Sequence, residues 1–212
     1  MAFVNPNKPA GLSPLRYLRG AKYDGKVGAY AIKASNTSAF YPGDLVTIAT
    51  GGSAGGLPYL ALATAGSANA VGVIVSVGLL PYGPYINPNN LAVTARPAAA
   101  QSVDWFAAVS DDPDIVYEIQ EGGSGTNLTP TTALIKNANI LYAAPGTGVA
   151  VSGTTLNNGA LTTTAANDLK IIRFVQRPDN QFVTTPATGG GAQKWEVLLN
   201  GYFYRPVTTI GI

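Results

Sequence analysis

The chain has 212 residues, with 13 Lys+Arg against 11 Asp+Glu and neither His nor Cys. Charged residues make up 11% of it and apolar residues 46%, where a typical soluble domain carries about 25% charge, so there is ample material for a core and little for a charged surface. The missing His and Cys exclude a Ser-His-Asp triad, a Cys-His dyad, a zinc-finger-type site and any disulfide, and a net charge of +2 is too mild to argue for nucleic acid.

Asn5, Pro6, Asn7, Lys8 and Pro9 interrupt the chain directly after Met1, so no signal peptide is expected. Prolines 6, 9 and 14 make residues 1–28 read as an extended arm, with 29–212 as the body. Within the arm, Ser13-Pro14 has the form of an N-cap and first helical residue, and Gly20 of a stop, which predicts a short helix over Leu15–Arg19. The arm is basic: Lys8, Arg16, Arg19, Lys22 and Lys26 stand against Asp24 alone. Its Gly20-Ala21-Lys22-Tyr23-Asp24-Gly25-Lys26 fits the spacing of a phosphate loop, but Val27 replaces the magnesium-binding hydroxyl and the flanking elements are inverted, so it reads as a connector.

Beyond the arm, strand signals dominate. Ala29–Lys33, Leu45–Ile48, Tyr59–Ala63, Val71–Val77, Leu91–Ala95, Val103–Val109, Ile115–Gln120, Ile140–Ala143, Val149–Ser152, Leu169–Gln176 and Trp195–Tyr204 are short, rich in β-branched and aromatic residues, and bounded by Gly, Pro or Asn. In Val71–Val77 the alternation predicts four valines on one face, with Gly72, Ile74 and Ser76 on the other. Thr129-Pro130 repeats the helix-start signal and predicts a second short helix over Thr131–Asn139. The pattern is all-β, a sandwich or barrel with one or two short helices. No apolar run approaches the length of about 20 residues that a membrane helix needs.

The motifs that resemble chemistry have plainer readings. Gly51-Gly52-Ser53-Ala54-Gly55 matches a nucleophile elbow, but without a histidine base or a following helix it is a hairpin loop. Asp111-Asp112-Pro113-Asp114 could share a calcium ion or supply a glycosidase acid, or form an acidic turn between two strands, or a protein-contact patch. Trp105, Trp195 and Tyr202-Phe203-Tyr204 could form a sugar-binding platform or simply a barrel wall. No cofactor, metal or catalytic residue is expected.

Phe3-Val4-Asn5-Pro6 with Gly11-Leu12-Ser13-Pro14, Tyr41-Pro42-Gly43-Asp44-Leu45-Val46, Ala70-Val71-Gly72-Val73, Asp111 through Gln120, and Arg173 through Asn180 stand in this order along the chain. In that order these segments resemble bacteriophage capsid cement (decoration) proteins. The resemblance implies a β-barrel or jelly-roll-like body, self-association as a dimer or trimer, and attachment to the major capsid protein on the outside of a virion. It implies no role for nucleic acid or membrane. On that footing Phe3, Leu12, Leu15 and Tyr17 are the expected apolar anchors of the arm. Arg16, Arg19, Lys22 and Lys26 would meet carboxylates of the shell, or the patch of Asp111, Asp112, Asp114 and Glu118 on a neighbouring copy. The other reading is a carbohydrate-binding or tail-associated module, which predicts an exposed Trp105 or Trp195.

Overall fold

A computed structural model describes residues 5–67, 69–79, 93–182 and 192–204. The strands are β1 (Ser13–Tyr17), β2 (Gly28–Ile32), β3 (Leu45–Ala54), β4 (Leu57–Leu62), β5 (Ala70–Gly78), β6 (Trp105–Ser110), β7 (Ile115–Gly122), β8 (Asn137–Ala138), β9 (Ile140–Leu141), β10 (Thr155–Asn157), β11 (Leu169–Phe174) and β12 (Lys194–Leu199). The expected all-β class is what the chain adopts. Strands β2-β4-β3-β5-β6 close a barrel, β2 and β4 meeting through the parallel pair Ala31 and Tyr59. Beside the barrel lies a second sheet in the order β8-β11-β12-β7-β10-β9, with β1 also on β7. The body is thus a barrel with a second sheet beside it.

The two parts share a core. Tyr30, Ile32, Phe40, Leu60, Val71, Ile74 and Val109 fill the barrel. Leu45, Ala70 and Val73 point outward from its wall and pack with Ile115, Tyr117, Ile171 and Trp195 of the sheet. The expected row of four valines in β5 is broken: Val71, Ile74 and Val77 line the barrel, Val73 faces the sheet and Val75 is exposed. Two register shifts are the cause, one against β3 between Ala70 and Gly72 and one against β6 between Ile74 and Ser76, because each extra residue inverts the faces that follow it.

The expected helix over Leu15–Arg19 is the strand β1. It pairs antiparallel with β7, Pro14 opposite Tyr117 and Arg16 opposite Val116. One helical turn has too few hydrogen bonds to repay its nucleation, and the ladder on β7 offers more. The described part of the expected extended arm is bound to the body. Leu12 is 1% exposed within the sheet core, Asn5 exchanges two hydrogen bonds of 2.8 Å with the backbone of Gln181, and the Lys8 N–H donates to Gln120 Oε1 at 3.0 Å.

The second helix start is real, with a Thr129–Thr132 capping box, but α1 spans only Pro130–Ala133. Leu134 is extended and Ile135 has φ +66°, so the chain leaves the helix and pairs Asn137–Ala138 with β11. Two of the expected strands are irregular where they are described, at residues 93–95 and 149–152. Leu91 and Ala92, which begin the first of them, lie outside the described residues. Gly51–Ala54 continues β3, and the hairpin turns at Gly55-Gly56.

Arg96 is fully buried. Its guanidinium donates to the Ser38 and Asn36 carbonyls at 2.5 Å and lies 5.8 Å from the Phe40 ring centroid. It holds the irregular 33–38 segment against the barrel.

Candidate functional site

The outer face of the second sheet carries a row of charge. Antiparallel register places Ser13 of β1, Glu118 of β7, Glu196 of β12 and Arg173 of β11 side by side. Alternation explains it: Tyr117, Ile119, Trp195 and Val197 face the core, so Glu118 and Glu196 face outward. Two carboxylates directly opposite one another repel, and arginines offset this. Arg16 donates to Glu196 Oε2 through Nε at 3.2 Å and Nη2 at 2.7 Å, while Arg173 Nη2 lies 2.8 Å from Glu196 Oε1. Arg177 grips Glu118 with two parallel bonds of 2.7 and 2.9 Å and also reaches Asp179 at 3.0 Å. Lys194 Nζ stands 3.6 Å from Glu118.

Glu118, Glu196, Arg173 and Arg177 of this network floor an open groove of about 800 Å³ whose other walls include Leu15, Pro130, Leu134, Phe174, Val175 and Phe182. Phe174 stacks edge-on against Phe182 at 6.0 Å and against the buried Trp195 at 5.3 Å. Leu15, Leu134 and Phe182 are exposed. Chemically the groove offers apolar contact beside arginine. Glu118 and Glu196 form a carboxylate pair in an open cleft, but every one of their oxygens faces a cation, an arrangement that holds charge in place.

The residues expected at the arm divide by environment. Phe3 lies outside the described residues. Leu12 is buried and gives a partner nothing to grip. Leu15 lines the groove and Arg16 belongs to its charge network. The Tyr17 hydroxyl donates to Asp24 Oδ1 at 2.8 Å, and that bond, with further help from partial burial, pushes the phenol up to about 12. Lys26 pairs with Asp24 at 3.2 Å. Arg19 and Lys22 are exposed.

The acidic patch is not one patch. Asp111 accepts from the Tyr30 hydroxyl at 2.9 Å. Asp112 Oδ1 accepts the Asp114 N–H at 2.8 Å, as in the expected turn between two strands, here one that leads from the barrel into the second sheet. Glu118 stands apart, engaged by Arg177 within the same molecule, so it is not an unoccupied acid awaiting a neighbour. Both tryptophans are buried, Trp105 at 7% and Trp195 at 0% exposure, so neither forms an open platform. Among the described residues no cluster of three His, Cys, Asp or Glu could hold a metal.

Sequence reasoning missed the groove, because Arg173, Arg177, Lys194 and Glu196 come from distant segments. The available signal was the alternation of Arg173, Lys194 and Glu196 with apolar residues inside two strands. Among the described residues, three further carboxylates are buried outside any ion pair: Asp44, Glu121 and Asp168. Glu121 accepts from Trp195 Nε1 at 3.0 Å, Gln193 Nε2 at 3.1 Å and the Leu128 N–H at 3.2 Å. Asp168 accepts from the N–H groups of Gly66, Ser67 and Ile140 at 2.9–3.0 Å. Burial pushes both carboxyls up, against these donors. They join segments rather than face solvent.

Compared with known protein families, with characterised proteins and with solved structures, the chain matches none.

Proposed function

We propose that the chain is a structural cement, or decoration, protein that binds the outer surface of a phage capsid and stabilises contacts between major capsid protein subunits. The observation that carries this reading is the gathering of exposed Leu15, Leu134 and Phe182 at one groove on a chain whose charge content is only 11%. Interface centres are enriched in aromatics and arginine, and exposed apolar groups gathered in one place mark interaction surfaces. The resemblance of the Tyr41–Val46, Asp111–Gln120 and Arg173–Asn180 segments to cement proteins points the same way. In this reading the protein works by contact, without a catalytic step or a cofactor, and self-associates on the shell, as a dimer in preference to a trimer.

Cryo-microscopy of the particle that carries the chain tests it. The expected result is density on the outer face of the head, over junctions between shell subunits. Density confined to the tail overturns the reading.

A further inference from the structure

We infer that the groove takes a segment of the shell protein that presents a carboxylate between apolar side chains, with Arg173 receiving the carboxylate and Ile135 and Leu134 seating the apolar flank. The inference rests on the proposed function above and adds the chemistry of the partner.

Charge supplies the first argument. In the network, Arg16, Arg173, Arg177 and Lys194 face Glu118, Glu196 and Asp179, four cations against three carboxylates. Glu196 serves two arginines. Arg16 takes Oε2 with two nitrogens, whereas Arg173 reaches Oε1 through Nη2. Arg173 is also the most exposed of the four cations, its side chain 58% accessible. The positive surplus is thus offered at the groove wall, where a further carboxylate completes the pairing.

Backbone geometry supplies the second. Ile135 is 76% exposed with φ +66°, a left-handed conformation that is a genuine outlier for a β-branched residue. Its N–H donates to the Ile171 carbonyl at 2.9 Å, which any residue would do, and Gly or Asn would do without the strain. The side chain receives little packing within the chain in return. Strain of this kind gathers at sites that act on something else, and Ile135, itself outside the groove lining, directly follows Leu134, which is part of it.

The test uses heads assembled without this protein, incubated with the full-length chain, with bound chain quantified against concentration and melting temperature measured in parallel. Ile135→Gly is expected to melt at or above the wild-type temperature yet bind at least about tenfold more weakly, as an interface anchor does on truncation. Arg173→Glu is expected to lose binding while Arg173→Lys retains it. Ile135→Asn repeats the first test should Gly loosen the loop. Wild-type affinity in either Ile135→Gly or Arg173→Glu, while the wild-type chain decorates heads, overturns the inference and leaves the proposed function standing. A wild-type chain that does not bind heads removes both.

Discussion

Glu118 and Glu196 stand directly opposite each other on β7 and β12, two like charges at one register position that the cations around them make tolerable. Glu196 has a side chain 5% exposed and shared between Arg16 and Arg173, so its removal leaves two guanidiniums without their acceptor. Hydrogen bonds to charged groups contribute about 1.5–3 kcal/mol each, less where the partner is in water. Glu196→Ala is therefore expected to lower unfolding free energy by about 2–3 kcal/mol, measured by urea denaturation. Glu118→Ala should cost less, because Arg177 retains Asp179. The reverse order would refute this account of the network.

The Asp44 carboxyl makes a pH prediction. It is buried, with Oδ2 accepting the Tyr41 N–H at 2.8 Å. Burial pushes it up from 3.8 to about 6, against the Ser152 hydroxyl and the Tyr41 N–H, which favour the anion. A carboxyl raised in the folded chain binds its proton more tightly there than in the unfolded chain. Its contribution to stability is therefore full below about pH 4, declines as pH rises toward about 6, and is then level. Asp44→Asn should flatten part of that decline and raise stability at pH 7 by up to about 3 kcal/mol. Glu121 and Asp168 are raised in the same direction, so some decline should persist. Urea titrations from pH 4 to pH 7 measure it, and an unchanged slope in Asp44→Asn would count against the Asp44 assignment.

Arg96 acts as a brace. With carbonyls of Ser38 and Asn36 on one fork and no carboxylate bonded to it among the described residues, its role depends on planar geometry as much as on charge. Burial holds its guanidinium below the usual arginine range. Lysine presents a point charge that cannot span both carbonyls, so Arg96→Lys is expected to destabilise the chain by about 2–3 kcal/mol. Amide exchange at Ala99 and Gln101, which donate to the Thr37 and Ala34 carbonyls, should accelerate. Wild-type exchange at those two amides would show that Arg96 does not brace the segment.

Much of this architecture was legible from the chain alone, where periodicity and turn chemistry agree. Ile115–Gln120 alternates, Leu169–Gln176 is apolar-rich and closed by the Pro178 turn, and both form strands. The acidic turn between β6 and β7 followed from Asp and Pro. Three features were not legible, each for a physical reason. The helical signal at Ser13-Pro14 is local, and pairing with β7, distant in sequence, overrode it. The faces of β5 depend on two register shifts that no residue type in the strand announces. The groove joins β1, α1, β11 and β12, and its charge pairs exist only once those strands are in register. Glu196 alone suggests a solvated position; Glu196 between two arginines does not.

The N-terminal segment carries the last prediction, and it separates a docked strand from a free arm. A free arm would leave a folded body when residues 2–19 are deleted. The structure gives that segment several ties to the body. Leu12 lies in the sheet core, and burying such a side chain contributes about 1.5–3 kcal/mol. Strand β1 covers β7 through four residue pairs from Ser13 to Tyr17, and its loss would leave the β7 edge open to other chains. Arg16 would vanish from Glu196. Gly11 and Gly43 meet so closely that a Cβ on Gly11 would run into the Gly43 carbonyl, and Gly11 also has φ +66°. Together these losses are comparable with the whole stability of an ordinary domain, about 5–15 kcal/mol. Deletion of residues 2–19 is thus expected to give an unfolded or aggregating product by circular dichroism and light scattering. Gly11→Val, which keeps the segment but blocks its docking, should lower the melting temperature without abolishing folding. A truncated chain that melts at the wild-type temperature would restore the free arm and remove β1 from the fold's essential parts.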